Sequence, residues 1–61
     1  MRFIALTRAD GRVGVLDVKG EKFAHFLDTH PIWSPTERAT KAAARLNDGT
    51  DTTTGYVWEK A

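Results

Sequence analysis

Apolar residues come in short, charge-bounded runs over the first half of the chain. Phe3-Ile4-Ala5-Leu6 lies between Arg2 and Arg8, and Val13-Gly14-Val15-Leu16 between Arg12 and Asp17. Runs of this length, rich in branched side chains, suit strands, so strands are predicted from Arg2 to Arg8 and from Arg12 to Val18. Asp10-Gly11 between them predicts a hairpin with a type I′ turn, because both residues tolerate positive φ. Lys19-Gly20 offers a second tight turn, and Glu21 to Leu27 then reads as a third strand. The period there is ambiguous. Phe23, Phe26, Leu27 and His30 also fall at i, i+3, i+4 and i+7, so a short helix from Glu21 to Thr29 competes. The strand is favoured because a two-residue turn leads into it and aromatic residues are enriched in strands.

The pattern changes after Pro31, which rules out helix continuity through the connection from Asp28 to Trp33. Ser34-Pro35-Thr36-Glu37 carries a capping serine, a proline at the first helical position and a glutamate able to complete a capping box. Ala39, Ala42, Ala43 and Leu46 follow at helical spacing as one apolar stripe, and Asn47-Asp48-Gly49 supplies a left-handed exit. Thr50 to Thr54 reads as a polar loop and Gly55 to Glu59 as a closing strand. The expected fold is α+β in the order β-β-β-α-β: a three-stranded antiparallel meander, one helix packed on one sheet face, and a short C-terminal strand. Residues 1–61 form a single domain.

One helix covers one face of a sheet, which leaves the second face open. In the first strand Phe3 and Ala5 point one way and Ile4 and Leu6 the other, so both faces are apolar. Tyr56 and Trp58 share a face; Phe23 and Leu27 share one as well, opposed by Phe26. More apolar surface is present than an alanine stripe can bury, and self-association through the uncovered face is expected.

Length sharpens that expectation. A chain of 61 residues removes only about 60% of its unfolded surface from water. Such small cores are commonly supported by disulfides, a metal or another subunit, and there are no cysteines. A disulfide-free domain without an apolar run of membrane-spanning length, whose first residues turn polar too soon for a signal peptide, reads as soluble and cytoplasmic. Nine Lys and Arg against eight Asp and Glu give a net charge of +1. That balance does not announce a general nucleic-acid binder.

Candidate chemistry is sparse. Arg38, Lys41 and Arg45 stand at i, i+3 and i+7, a basic stripe about ten ångströms long by helix rise. It is able to meet phosphates or an acidic protein patch. It also reads as an ordinary solvated face, since Glu37 stands four residues before Lys41 and Arg45 suits the helix end. Trp33 is expected to pack on the helix start, and Trp58 to close the core or mark an interface. His25 and His30 have no partners at metal-ligand spacing, so no metal or other cofactor is expected. Ser34 is committed to capping, the aspartates lie at turns and element ends, and the glycines are dispersed rather than gathered in a phosphate loop. No catalytic residue is assigned.

A strand meander with its Asp17 to Gly20 segment, the helix reading A-x-x-A-A-A-R-L-N-D-G from Ala39 to Gly49, and the overall length together resemble the small proteins encoded by bacteriophages and other mobile elements. The resemblance implies a stoichiometric role: binding and modulating or inhibiting a host or defence-system protein. The expected function is therefore that of a non-enzymatic protein-binding domain and homodimer. Arg38, Lys41, Arg45 and Trp58 are its candidate partner-binding residues, and a nucleic-acid module using the basic stripe is the alternative.

Overall fold

The computed structural model describes residues 1–50 and 55–61. The elements run β1 (Phe3–Thr7), β2 (Val13–Asp17), β3 (Lys22–Phe26), α1 (Pro35–Asp48) and β4 (Tyr56–Lys60). All four strands join one antiparallel sheet in the order β1-β2-β3-β4, the closing strand pairing with β3. The expected α+β meander with one helix and a C-terminal strand is present. The threonine-rich loop read over residues 50–54 lies, apart from Thr50, outside the described residues.

Residues 21–29 resolve in favour of the strand. Phe23 pairs with Leu16 on one side and Glu59 on the other, an arrangement no helix could make. The strand nevertheless stops at Phe26, and Leu27, read as its last apolar residue, is exposed.

Both hairpin connections are longer than two residues. At the first, the Gly11 N–H donates to the Arg8 carbonyl at 2.9 Å and the Arg8 N–H to the Arg12 carbonyl at 2.8 Å. Only Gly11 takes a positive φ, 91°. This is a three-residue loop with a glycine bulge instead of the type I′ turn. Its cause is local: the Asp10 carboxylate accepts from the Arg12 N–H at 3.0 Å, which holds Asp10 inside the turn. At the second, Asp17 is level with Lys22, leaving Val18 to Glu21 as the loop. The Asp17 carboxylate accepts from the Gly20 N–H at 2.9 Å, and Glu21 takes the positive φ of 52°.

The helix starts and stops as its sequence dictates. Ser34 Oγ accepts from the Glu37 N–H at 3.2 Å, and the Glu37 carboxylate reaches back to the Ser34 N–H and hydroxyl. At the far end Gly49, at φ 73°, donates to the Leu46 carbonyl while the Thr50 N–H donates to Arg45, a Schellman closure. The stripe of Ala39, Ala42 and Ala43 is buried against Val15 and Ala24, with Phe3, Val13, Phe26, Leu46, Tyr56 and Trp58 packed around that centre. Small side chains allow the helix to lie close over β1 and β2.

Two polar links tie this layer together. Asn47, read as part of the helix exit, also serves β1: its Oδ1 accepts from the Phe3 N–H at 3.0 Å and its Nδ2 donates to the Phe3 carbonyl at 2.9 Å. Asp17, read as a solvated element end, is wholly buried. Arg2 meets it through two hydrogen bonds of 2.9 Å, and those bonds hold its carboxyl down at about 2.

A folded-state carboxyl below its ordinary value stabilises above the unfolded value of 3.8, and that contribution is lost as pH falls toward 2. Acid unfolding followed by circular dichroism should therefore run mainly between about pH 4 and 2. Arg2→Met, which leaves Asp17 buried without its partner, should move the acid midpoint to higher pH.

Candidate protein-interaction surface

Strand register divides the sheet into a closed face and an open one. Phe3, Ala5, Val13, Val15, Ala24, Phe26, Tyr56 and Trp58 alternate onto the helix side. The other side carries two cross-strand rows, Ile4-Leu16-Phe23-Glu59 and Leu6-Gly14-His25-Val57. Phe23 and Phe26 thus face opposite ways, as their alternation demands.

Phe23 sits on the open face and is nevertheless only 1% exposed. Gly14 explains this. A Cβ on Gly14 would overlap the Ala24 carbonyl and come 2.9 Å from the Phe23 ring, so the glycine leaves a notch that the ring fills. Arg8 then crosses above, its guanidinium carbon 5.2 Å from the ring centroid and its Nη1 2.9 Å from Glu59. Arg12 reaches the same Glu59 oxygen at 3.1 Å, and His25 Nε2 lies 3.7 Å from the other. The centre of the face is a charged roof over a buried ring. Around it stand Ile4, Leu6 and Val57, 37%, 36% and 40% exposed, with Leu16 half-buried beside Ile4.

The basic helix stripe does not survive as a stripe. Arg38 is 8% exposed; its guanidinium lies 4.2 Å from the Phe26 centroid and its Nη1 2.7 Å from Asp28. That hydrogen bond holds the Asp28 carboxyl below the usual carboxylate range. Arg38 stands four residues before the buried Ala42, on the same helix face, which turns it toward the sheet, where only a paired arginine is tolerated. Lys41 and Arg45 are exposed. Lys41 rests 4.8 Å from the Trp33 ring, and among the described residues no ion pair joins it to Glu37, whose carboxylate is occupied at the cap. Arg2, Arg8 and Arg12 do not extend the stripe, being turned to Asp17 and Glu59.

Trp58 is half-buried on the closed face, 6.2 Å from Phe3 and 5.9 Å from Tyr56, with Lys22 Nζ 4.9 Å above its ring. It is part of the packing around the core and lies on neither the open face nor the helix surface of Lys41. The four residues proposed from sequence therefore do not meet in one place.

A cleft of about 440 Å³ lies beside the helix start, lined by Val13, Phe26, Asp28, His30, Trp33 and Arg38. His30 is more than an ordinary loop residue. Its Nδ1 accepts from the Ile32 and Trp33 N–H groups at 3.1 Å, and its ring stacks on Trp33 at 4.6 Å. Two polar groups of this cleft are thus engaged in holding the loop, Asp28 to Arg38 and His30 Nδ1 to the backbone. Among the described residues no group of three His, Cys, Asp or Glu side chains could hold a metal ion. No helix among them is long and apolar enough to cross a membrane.

The chain matches no protein-family model, no curated protein and no solved structure. The surfaces themselves carry the functional reading.

Sequence reasoning assigned Gly14, Phe23 and Glu59 no part in this surface and Asn47 no link to β1. A lone glycine inside a run of branched residues was the available signal, because it marks a close approach to the strand. Gly14→Ala should destabilise the domain by about 1–3 kcal/mol, measured by denaturant unfolding, because neither the Ala24 backbone nor the Phe23 ring can withdraw. Arg38→Ala should cost roughly 2 kcal/mol through lost packing on Phe26, whereas Lys41→Ala should cost about 0.5 kcal/mol.

Proposed function

We propose that this chain is a non-enzymatic protein-binding domain that docks a larger protein on its open sheet face and modulates it, in the manner of small phage or mobile-element proteins. The observation that carries the reading is the open face itself: exposed Ile4, Leu6 and Val57 around the roof of Arg8, Arg12 and Glu59. Apolar side chains supply the burial and the charged centre supplies orientation, the composition of a specific protein contact. The molecule extends 30 × 28 × 15 Å. Its broad side is thus comparable with the roughly 800 Å² that each partner contributes to a standard interface. A cytoplasmic site of action fits a chain without cysteines.

Nucleic acid is the poorer fit. Arg8 and Arg12 are paired with Glu59 and Asp10, Arg2 with Asp17, and Arg38 is buried on Asp28. Counterion release needs several cations facing one way without carboxylate partners, and each of these is held by a carboxylate.

The test is capture from the native host with a photo-crosslinking residue at Leu6 or Val57, compared with the same residue at Lys41. Crosslinks to one protein from the first two positions, and a tenfold or greater loss of its affinity in Val57→Asp but not in Lys41→Glu, are expected. Retention of nucleic acid that weakens steeply with salt and with Lys41→Glu would contradict the proposal.

A further inference from the structure

The outer edge of β1 carries backbone groups that the fold leaves unused. The Arg8 N–H donates to the Arg12 carbonyl and the Val18 N–H to the Arg2 carbonyl, which fixes the parity of the ladder: even-numbered residues of β1 bond to β2. Phe3, Ala5 and Thr7 therefore turn their N–H and C=O groups away from the sheet. Phe3 is satisfied, both of its groups being taken by the Asn47 side-chain amide. Those of Ala5 and Thr7 have no partner among the described residues.

Nothing blunts this stretch. Ile4 to Thr7 are all exposed, and β1 contains no lysine, proline or glycine. Edge strands usually carry such features because a bare edge pairs with another chain.

We propose that this edge joins a second copy of the chain through antiparallel β1 pairing about a two-fold axis at Leu6. The register follows from which groups remain. Pairing Ala5 with Thr7 of the second copy, and Thr7 with its Ala5, uses all four outward groups of each strand in four hydrogen bonds. A shift by one residue to either side of the axis fails. Centring on Ala5 would need the Phe3 groups that Asn47 holds, and centring on Thr7 would need Ala9, which lies within the hairpin loop.

In the resulting register the two Leu6 side chains are direct neighbours on the open face, in a pair without mutual hydrogen bonds, where side chains approach closest. Ile4 lies across from Arg8 of the second copy, whose aliphatic stem can cover it. Arg2 comes level with the acidic turn residue Asp10 of the second copy, so that like charges are not opposed. The product is an eight-stranded sheet whose two open faces run together as one. This contact shares Leu6 and Ile4 with the face proposed above to dock a partner but rests on backbone hydrogen bonds at the sheet edge, so either can fail without the other.

The absence of native cysteine makes the register directly testable. In the non-bonded pair the two Cα atoms approach to about 4.5 Å, within disulfide reach. Under mild oxidation Leu6→Cys should therefore form a covalent dimer at least tenfold faster than Ile4→Cys or Val57→Cys. Ala5→Pro removes an outward N–H without touching the β1–β2 ladder, and should convert the dimer to monomer in sedimentation equilibrium while leaving the circular dichroism spectrum unchanged. A wild-type monomer at several hundred micromolar would overturn the proposal. So would Val57→Cys crosslinking as fast as Leu6→Cys, which would mean face-to-face contact. If Ala5→Pro does not fold, the cysteine comparison alone decides.

Discussion

The close seating of one alanine-rich helix on β1 and β2 is the contact on which the rest of this domain depends. Ala39, Ala42 and Ala43 present almost no side chain of their own, so the helix backbone comes down near Val15 and Ala24. Such a core is thin. Its edges are filled by larger residues, Phe3, Phe26, Leu46 and Trp58, and its polar links are placed where the two layers part. Asn47 ties the helix end to the β1 backbone, Arg2 closes over Asp17, and Arg38 passes between the helix and Phe26 to reach Asp28.

Because the helix serves one side only, the opposite side had to be made compatible with water by other means. The solution combines a missing side chain with a long one. Gly14 admits the Phe23 ring into the sheet surface, and Arg8 spans the ring to Glu59. A large aromatic residue is thereby buried with no second layer above it. What remains exposed, Ile4, Leu6 and Val57, forms a frame around a charged centre, and β1 adds an unpaired edge to the same side of the molecule. Function is read from these two features because the helix surface does not gather its charges.

Much of the fold was legible in the chain. Ser34, Pro35, Glu37 and Gly49 act through their immediate neighbours, so their roles could be read from spacing alone. The alternation in β1, and with it the two-sided apolarity of the sheet, is equally local. The turns were harder, because the side chains of Asp10 and Asp17 recruit backbone N–H groups two and three residues onward and lengthen loops that glycine alone would have kept short. The candidate site was least legible. Arg38 looks like its neighbours Lys41 and Arg45 on a helical projection, and only the arrival of Phe26 and Asp28 from a distant strand end makes it a buried residue. Glu59 gathers three partners, His25 from β3 and Arg8 and Arg12 from the connection between β1 and β2, which no spacing along the chain reveals.

The central claim is that the helix closes one face and leaves the β1 edge and the opposite face for partners. Residue-resolved amide hydrogen exchange across a dilution series tests it most directly, because ladder parity assigns each β1 amide a separate fate. In dilute solution Ile4 and Leu6 should be protected while Ala5 and Thr7 exchange freely, and protection should appear at Ala5 and Thr7 alone as concentration rises. Equal protection of all four amides at every concentration, or protection of Ala5 and Thr7 in place of Ile4 and Leu6, would contradict the account.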